Sequence, residues 1–131
     1  MKVVFDTNVL ISAFLTSTGP SQYAFRLAYK RHAIILSNYI WEEFENKLVQ
    51  KLGPPIQTVK QSAALLRQRC TILEMLDISA IEFSDKKDIP ILALAKSTEA
   101  HYLITGDKQL LALKRFETTL ILSPREAMEV L

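Results

Sequence analysis

Short apolar runs alternate with stretches of helical periodicity along this chain. The runs are Lys2–Asp6 (KVVFD), Ala33–Leu36 (AIIL), His101–Thr105 (HYLIT) and Thr119–Leu122 (TLIL). Runs of this kind, separated by helices, are buried most readily in a mainly parallel sheet covered by helices, which predicts an α/β sandwich. Asn8 or Thr7 is placed to cap a first helix ending near Leu15, and Ser17–Ser21 (STGPS) forms a turn. Gln22–Arg31 reads as a second helix. Ser37 caps a third to Leu52, with Ile40, Phe44 and Leu48 repeating every four residues, and Gly53-Pro54-Pro55 stops it. Ile56–Arg69 carries a stripe of Val59, Ala63 and Leu66 that continues to Cys70, with a short strand at Thr71–Leu73. A polar connection spans Leu76–Lys87. Asp88 then caps a helix to about Glu99, with Pro90 in its first turn. Lys108–Leu113 and Glu126–Leu131 complete the expected helices.

At 131 residues the chain has the length of a single domain, expected to span 1–131. The only glycines, Gly19, Gly53 and Gly106, stand too far apart in the sequence to form a dinucleotide or phosphate-binding loop. One cysteine, Cys70, rules out an internal disulfide and a thiolate zinc cage. Two histidines, His32 and His101, rule out a three-histidine metal site, so any metal chemistry falls to oxygen ligands. The net charge of +2 is compatible with nucleic acid without pointing to it. Asp6 interrupts the apolar start, and the longest uncharged stretch, Thr7–Phe25, is too polar to span a membrane. A cytoplasmic protein with no membrane partner is expected.

The aspartates are informative. Asp6 ends the first strand, Asp107 follows HYLIT after one glycine, and Asp88 opens a helix. Glu43 lies two turns into the helix after the second strand, at the border of its apolar stripe, whereas Glu42 and Glu45 point further toward solvent. Parallel sheets bind ligands outside the carboxyl edge of their strands, so Asp6, Glu43, Asp88 and Asp107 can converge there. Two carboxylates about 5 Å apart repel by roughly 3 kcal/mol at an effective dielectric near 20. A divalent cation relieves that repulsion, and an all-oxygen ligand set favours Mg²⁺ or Mn²⁺. His101 falls at the other end of its strand, roughly 13 Å away at about 3.3 Å per residue, which argues against zinc.

The segments FDTNVLISAFL (Phe5–Leu15), LSNYIWEEFENKL (Leu36–Leu48), DKKDIPILALA (Asp85–Ala95) and HYLITGDKQLL (His101–Leu111) together resemble the PIN-domain family. Within it they resemble the VapC-like toxins of bacterial toxin–antitoxin pairs. The resemblance implies a three-layer α/β/α sandwich and an endoribonuclease dependent on Mg²⁺ or Mn²⁺. It implies Asp6 as the central metal ligand, with Glu43, Asp88 and Asp107 as the others. It also implies an RNA substrate, a cognate antitoxin and a homodimer. Ser37 looks like the family's serine capping the helix that bears Glu43, and Thr105 and Asn8 would orient carboxylates from behind. Asp85 rivals Asp88 for the third position. Where the family often has a further acid, this chain has Gln109.

Two other classes fit parts of the sequence. A haloacid-dehalogenase-like phosphatase also begins strand–Asp, but needs a general acid two residues on, where Asn8 stands. A catalytically silent PIN-like fold would serve binding or assembly. Tyr39 is a candidate for stacking an RNA base, while Trp41 fits packing better. Arg26, Lys30 and Arg31, and separately Lys47, Lys51, Lys60, Arg67 and Arg69, are candidates for a basic rim.

Overall fold

A computed structural model describes residues 1–52, 57–74, 81–83 and 85–131. Its elements run β1 (Lys2–Phe5), α1 (Thr7–Leu15), α2 (Pro20–Arg31), β2 (Ala33–Ser37), α3 (Asn38–Leu52), α4 (Gln57–Arg69) and β3 (Cys70–Leu73). After a 3₁₀ turn at Lys86–Asp88 come α5 (Ile89–Thr98), β4 (Tyr102–Ile104), α6 (Lys108–Leu113), β5 (Arg115–Phe116), β6 (Thr119–Leu122) and α7 (Pro124–Val130). The Gly53-Pro54-Pro55 stop, the start of the fourth expected helix at Ile56 and half of the Leu76–Lys87 connection lie outside the described residues.

The sheet order is β3-β2-β1-β4-β6-β5, with β5 alone antiparallel. Parallel crossovers are right-handed, so the direction of each step along the sheet decides which face its helices cover. The steps β1 to β2 and β2 to β3 run one way and put α1–α4 on one face. The step β3 to β4 reverses and puts α5 on the other. The result is a three-layer α/β/α sandwich, as the sequence predicts. The reversal falls between β1 and β4, the switch point where open parallel sheets present a crevice at their carboxyl edge. Asp6 follows β1 there, and Asp107 follows β4 after Thr105 and Gly106.

Val3, Val4 and Phe5 of β1 are fully buried, as are Leu103 and Ile104 of β4. Five successive residues of α5, Ile91–Ala95, are also buried, which explains why this helix reads apolar around its whole circumference. Phe44 is fully buried and carries α3 against α1, its ring edge-on to Phe14 at 5.7 Å.

Several boundaries differ from the sequence expectation for identifiable reasons. Asp6, rather than Asn8 or Thr7, caps α1 by accepting the Thr7 N–H at 2.8 Å. Helix α2 starts at Pro20, whose fixed φ suits the first helical position, and Gly19 turns the chain into it at φ 111°. Cys70 opens β3 rather than closing α4's stripe. Helix α7 starts at Pro124, because Ser123 and Glu126 form a reciprocal capping box. The two-residue β5 has no counterpart among the expected strands. It pairs with β6 around a turn in which Glu117 adopts a left-handed φ of 53°.

Candidate active site

At the carboxyl edge a cavity of about 290 Å³ is lined by Asp6, Asn8, Tyr39, Glu43, Lys47, Asp85, Lys87, Asp88 and Asp107, among others. The structure thus brings together the four acids singled out from the sequence, and adds Asp85. One carboxylate oxygen each from Asp85, Asp88 and Asp107 lies within 4.8 Å of the other two. Asp6 and Glu43 face the same cavity from outside that tight group. Glu42 and Glu45 are turned away from it and face a different cavity, as the helical phase of Glu43 implies.

Each acid is held by the start of an element. Asp6 is fixed to β4 by its own N–H, which donates to the Ile104 carbonyl at 2.9 Å. One of its carboxylate oxygens accepts the Thr7 N–H, and the other accepts the Thr105 hydroxyl at 2.7 Å. Thr105 is fully buried, and its Oγ1 accepts the Asp107 N–H at 3.0 Å. One hydroxyl therefore sets both the Asp6 carboxylate and the loop that carries Asp107. Asp107 caps α6, accepting N–H bonds from Gln109 at 2.8 Å and Leu110 at 3.3 Å through Oδ1. Ser37 caps α3, accepting the Ile40 N–H at 3.1 Å, and so fixes the helix that presents Glu43.

Asp88 and Asn8 differ from their expected parts. Asp88 occupies the cap position of α5 but makes no capping bond. Asp85 performs the neighbouring cap instead, accepting the Lys87 N–H at 3.0 Å. The Asp88 side chain is left facing the cavity, with Oδ2 buried and without a hydrogen-bond partner among the described residues. Asn8 donates to no carboxylate among the described residues. Its Oδ1 accepts from Lys47 Nζ at 2.9 Å, and Lys47 sits 3.9 Å from Glu43. Asn8 thereby holds a cation beside Glu43. That i,i+4 ion pair is half-exposed and worth well under about 1 kcal/mol, so its value is in positioning.

The electrostatics follow from crowding. Burial foremost, then the adjacent Asp107 and the charges of Asp6 and Asp85, push the Asp88 carboxyl up to about 7. Burial also raises Asp6, outweighing its bonds from Thr105 and Thr7, with Glu43 and Asp107 adding repulsion. Tyr39 is raised by burial and by Glu43 and Asp88. A buried carboxylate oxygen without a partner, in an all-oxygen donor set, is what a hard divalent cation fits. The two histidines take no part. His101 Nδ1 accepts the Lys2 N–H at the opposite edge of the sheet, and His32 approaches the Leu131 carbonyl.

A pH dependence follows. Carboxyls raised above their ordinary values favour the folded state when protonated. Their stabilisation is present below the ordinary aspartate range and is lost as pH rises through about 7. The cation-free protein is therefore expected to lose thermal stability between about pH 5 and about pH 8. Mn²⁺ should raise the melting temperature more at the higher pH. Asp88→Asn should flatten both responses in melting curves, and equal pH sensitivity in that variant would contradict the assignment.

Asp85 has a larger place in the cavity than its sequence position suggests. The i,i+3 spacing within DKKD is the available signal, since one helical turn brings both aspartates to one side. Lys87 also lines the cavity, and nothing in the sequence singles it out from Lys86.

The PIN domain family model matches residues 2–109, a span that holds every carboxylate of the cavity. The chain belongs to the PIN-domain family. Comparison with curated proteins gives no match. Among solved structures the chain resembles VapBC2 from Rickettsia felis, described as bound to a DNA fragment from their promoter. The TM-score is 0.65 at 15% identity, over 94% of this chain and 98% of the other. It also resembles VapC20 of Mycobacterium tuberculosis, described as a sarcin–ricin-loop-cleaving toxin. Here the TM-score is 0.60 at 14% identity, over 90% of this chain and 98% of the other. At such identities the likeness is one of fold.

Proposed function

We propose that this PIN-domain protein is an endoribonuclease dependent on Mg²⁺ or Mn²⁺. In this reading it hydrolyses phosphodiester bonds in single-stranded or loop RNA and is the toxin of a toxin–antitoxin pair. The observation that carries the reading is the gathering of Asp6, Glu43, Asp85, Asp88 and Asp107 around one cavity at the switch point of the sheet. Such a pocket repels a polyanion unless cations occupy it. Asp85, Asp88 and Asp107, the tight group, would hold the cation together with Asp6, which the family resemblance makes the central ligand, and Glu43 would face it from the same cavity. A divalent cation so placed polarises a phosphate oxygen and acidifies water.

The protein's own groups do the rest. Thr105 keeps the Asp6 carboxylate oriented by donating to Oδ2. Lys47, steadied by Asn8, offers a fixed positive charge to a substrate phosphate. With the Asp88 carboxyl pushed up to about 7, a cation held there would compete with a proton, so cation affinity should rise with pH through neutrality. The second acid that a dehalogenase-like phosphatase needs two residues after Asp6 is lacking, since Asn8 stands there and an amide cannot serve as a general acid.

The toxin assignment is supported by the fold likeness to VapC20, described as a toxin. A covering antitoxin, a homodimer and a cytoplasmic location belong to the same reading. No helix of the described residues is long and apolar enough to cross a membrane. The test is incubation of the purified protein with labelled single-stranded RNA, with Mg²⁺ or Mn²⁺ and with EDTA. Cleavage that requires the cation supports the nuclease. An intact, cation-loaded protein that binds RNA without cutting it would overturn the nuclease in favour of a binding role.

A further inference from the structure

The acidic cavity opens into a second of about 290 Å³ that shares Asp6, Asn8 and Asp107 with it and continues past Ser21, Gly106 and Pro124. A third cavity, of about 350 Å³, is lined by the chain neighbours of two of these residues. Pro20 precedes Ser21 at the start of α2, and Arg125 follows Pro124 at the start of α7. Helices α2 and α7 pack side by side, which sets Arg26 and Arg125 on the walls of this outer cavity. Ser17, Thr18 and Tyr23 also line it, and no carboxylate does. Neither arginine forms an ion pair among the described residues. Tyr23 beside them is 46% exposed.

The remaining cavities lack this character. The one between α3 and α4, of about 680 Å³, carries Glu42 and Glu45 beside Lys60 and Arg67. The one among α1, α2 and α4, of about 400 Å³, is lined by no charged residue.

We propose that the RNA strand flanking the scissile bond runs from the acidic centre over Ser21 and Gly106 into the outer cavity. There Arg26 and Arg125 hold its phosphates and Tyr23 stacks on a base. This inference rests on the ribonuclease reading. Its logic is charge and shape. A guanidinium matches phosphate geometry with paired donors, and two with no anionic partner among the described residues form a local positive field beside an acidic centre. An exposed aromatic ring beside them supplies a stacking surface that tolerates any base.

The test is the salt dependence of kcat/KM for cleavage of a fluorescein-labelled single-stranded RNA of about 12 nucleotides. The double variant Arg26→Ala/Arg125→Ala is expected to flatten the log–log salt slope by about 1.4, from roughly 0.7 per lost phosphate contact. Arg26→Lys/Arg125→Lys, which keeps the charge, should restore most of the slope. Tyr23→Ala should raise KM about 10-fold with little change in kcat. Lys96→Ala, which removes a charge paired with Glu117 at 4.0 Å and absent from these cavities, should leave the slope unchanged. Wild-type cleavage with the same slope in the double alanine variant overturns the track and leaves the ribonuclease reading intact. It would be the result if these arginines instead serve a protein partner. A wild type that cuts no RNA overturns both.

Discussion

Asp6→Asn is expected to abolish cation-dependent RNA cleavage while leaving the fold intact. The change is nearly isosteric, and the carbonyl oxygen of the substituted amide can still accept the Thr7 N–H, so the α1 cap survives. The variant loses the negative charge nearest the β1–β4 switch point. Burial and the neighbouring Glu43 and Asp107 already disfavour that charge in the cation-free protein. The melting temperature without cation should therefore hold or rise, while activity falls on the order of 10³-fold or more. Thr105→Val, which removes only the 2.7 Å bond that orients Asp6, should cost about 10- to 100-fold, the range typical of a residue behind a ligand. Initial rates in Mn²⁺ alongside melting curves check both. Wild-type rates in Asp6→Asn would remove Asp6 from the site.

Phe44→Ala is expected to destabilise the protein by about 3–5 kcal/mol, the usual range for truncating a buried aromatic. Phe44 is fully buried, with its ring edge-on to Phe14 of α1 and 5.3 Å from the Trp41 ring. It is the chain neighbour of Glu43, so the cavity it leaves lies under the helix that presents that acid. Domains of this kind are stable by about 5–15 kcal/mol, which would leave the variant marginal. Urea denaturation should show a lowered midpoint with an unchanged slope. A loss below about 1 kcal/mol would mean that α3 is held by something other than this contact.

Most of the architecture is legible in the sequence because its signals are local. Valine- and isoleucine-rich runs mark the strands, and their separation by helical periodicity implies parallel pairing. Asp6 and Asp107 stand out because each closely follows such a run. What cannot be read depends on contacts distant in sequence or on unusual backbone. β5 is two residues long and turns through Glu117 at positive φ, where neither glycine nor asparagine announces it. The pairing of Asn8 with Lys47 joins residues on α1 and α3, and only the packing of those helices reveals it. Asp88 looks like an ordinary cap because an aspartate before a helix usually is one. That its side chain turns to the cavity, leaving Asp85 to cap the turn, depends on the local path of the 3₁₀ segment. Glu43, by contrast, is separable from Glu42 and Glu45 by helical phase alone, since Ile40 and Phe44 fix which side of α3 is buried.

The charge cluster at the mouth of the sheet is most directly tested by diffraction from crystals grown with Mn²⁺, using the anomalous signal of the ion. The expected result is a strong peak among the carboxylates of Asp6, Asp85, Asp88 and Asp107, lost in crystals of Asp88→Asn. Well-ordered carboxylates with no peak among them at saturating Mn²⁺ would contradict the assignment of this cavity as a cation site.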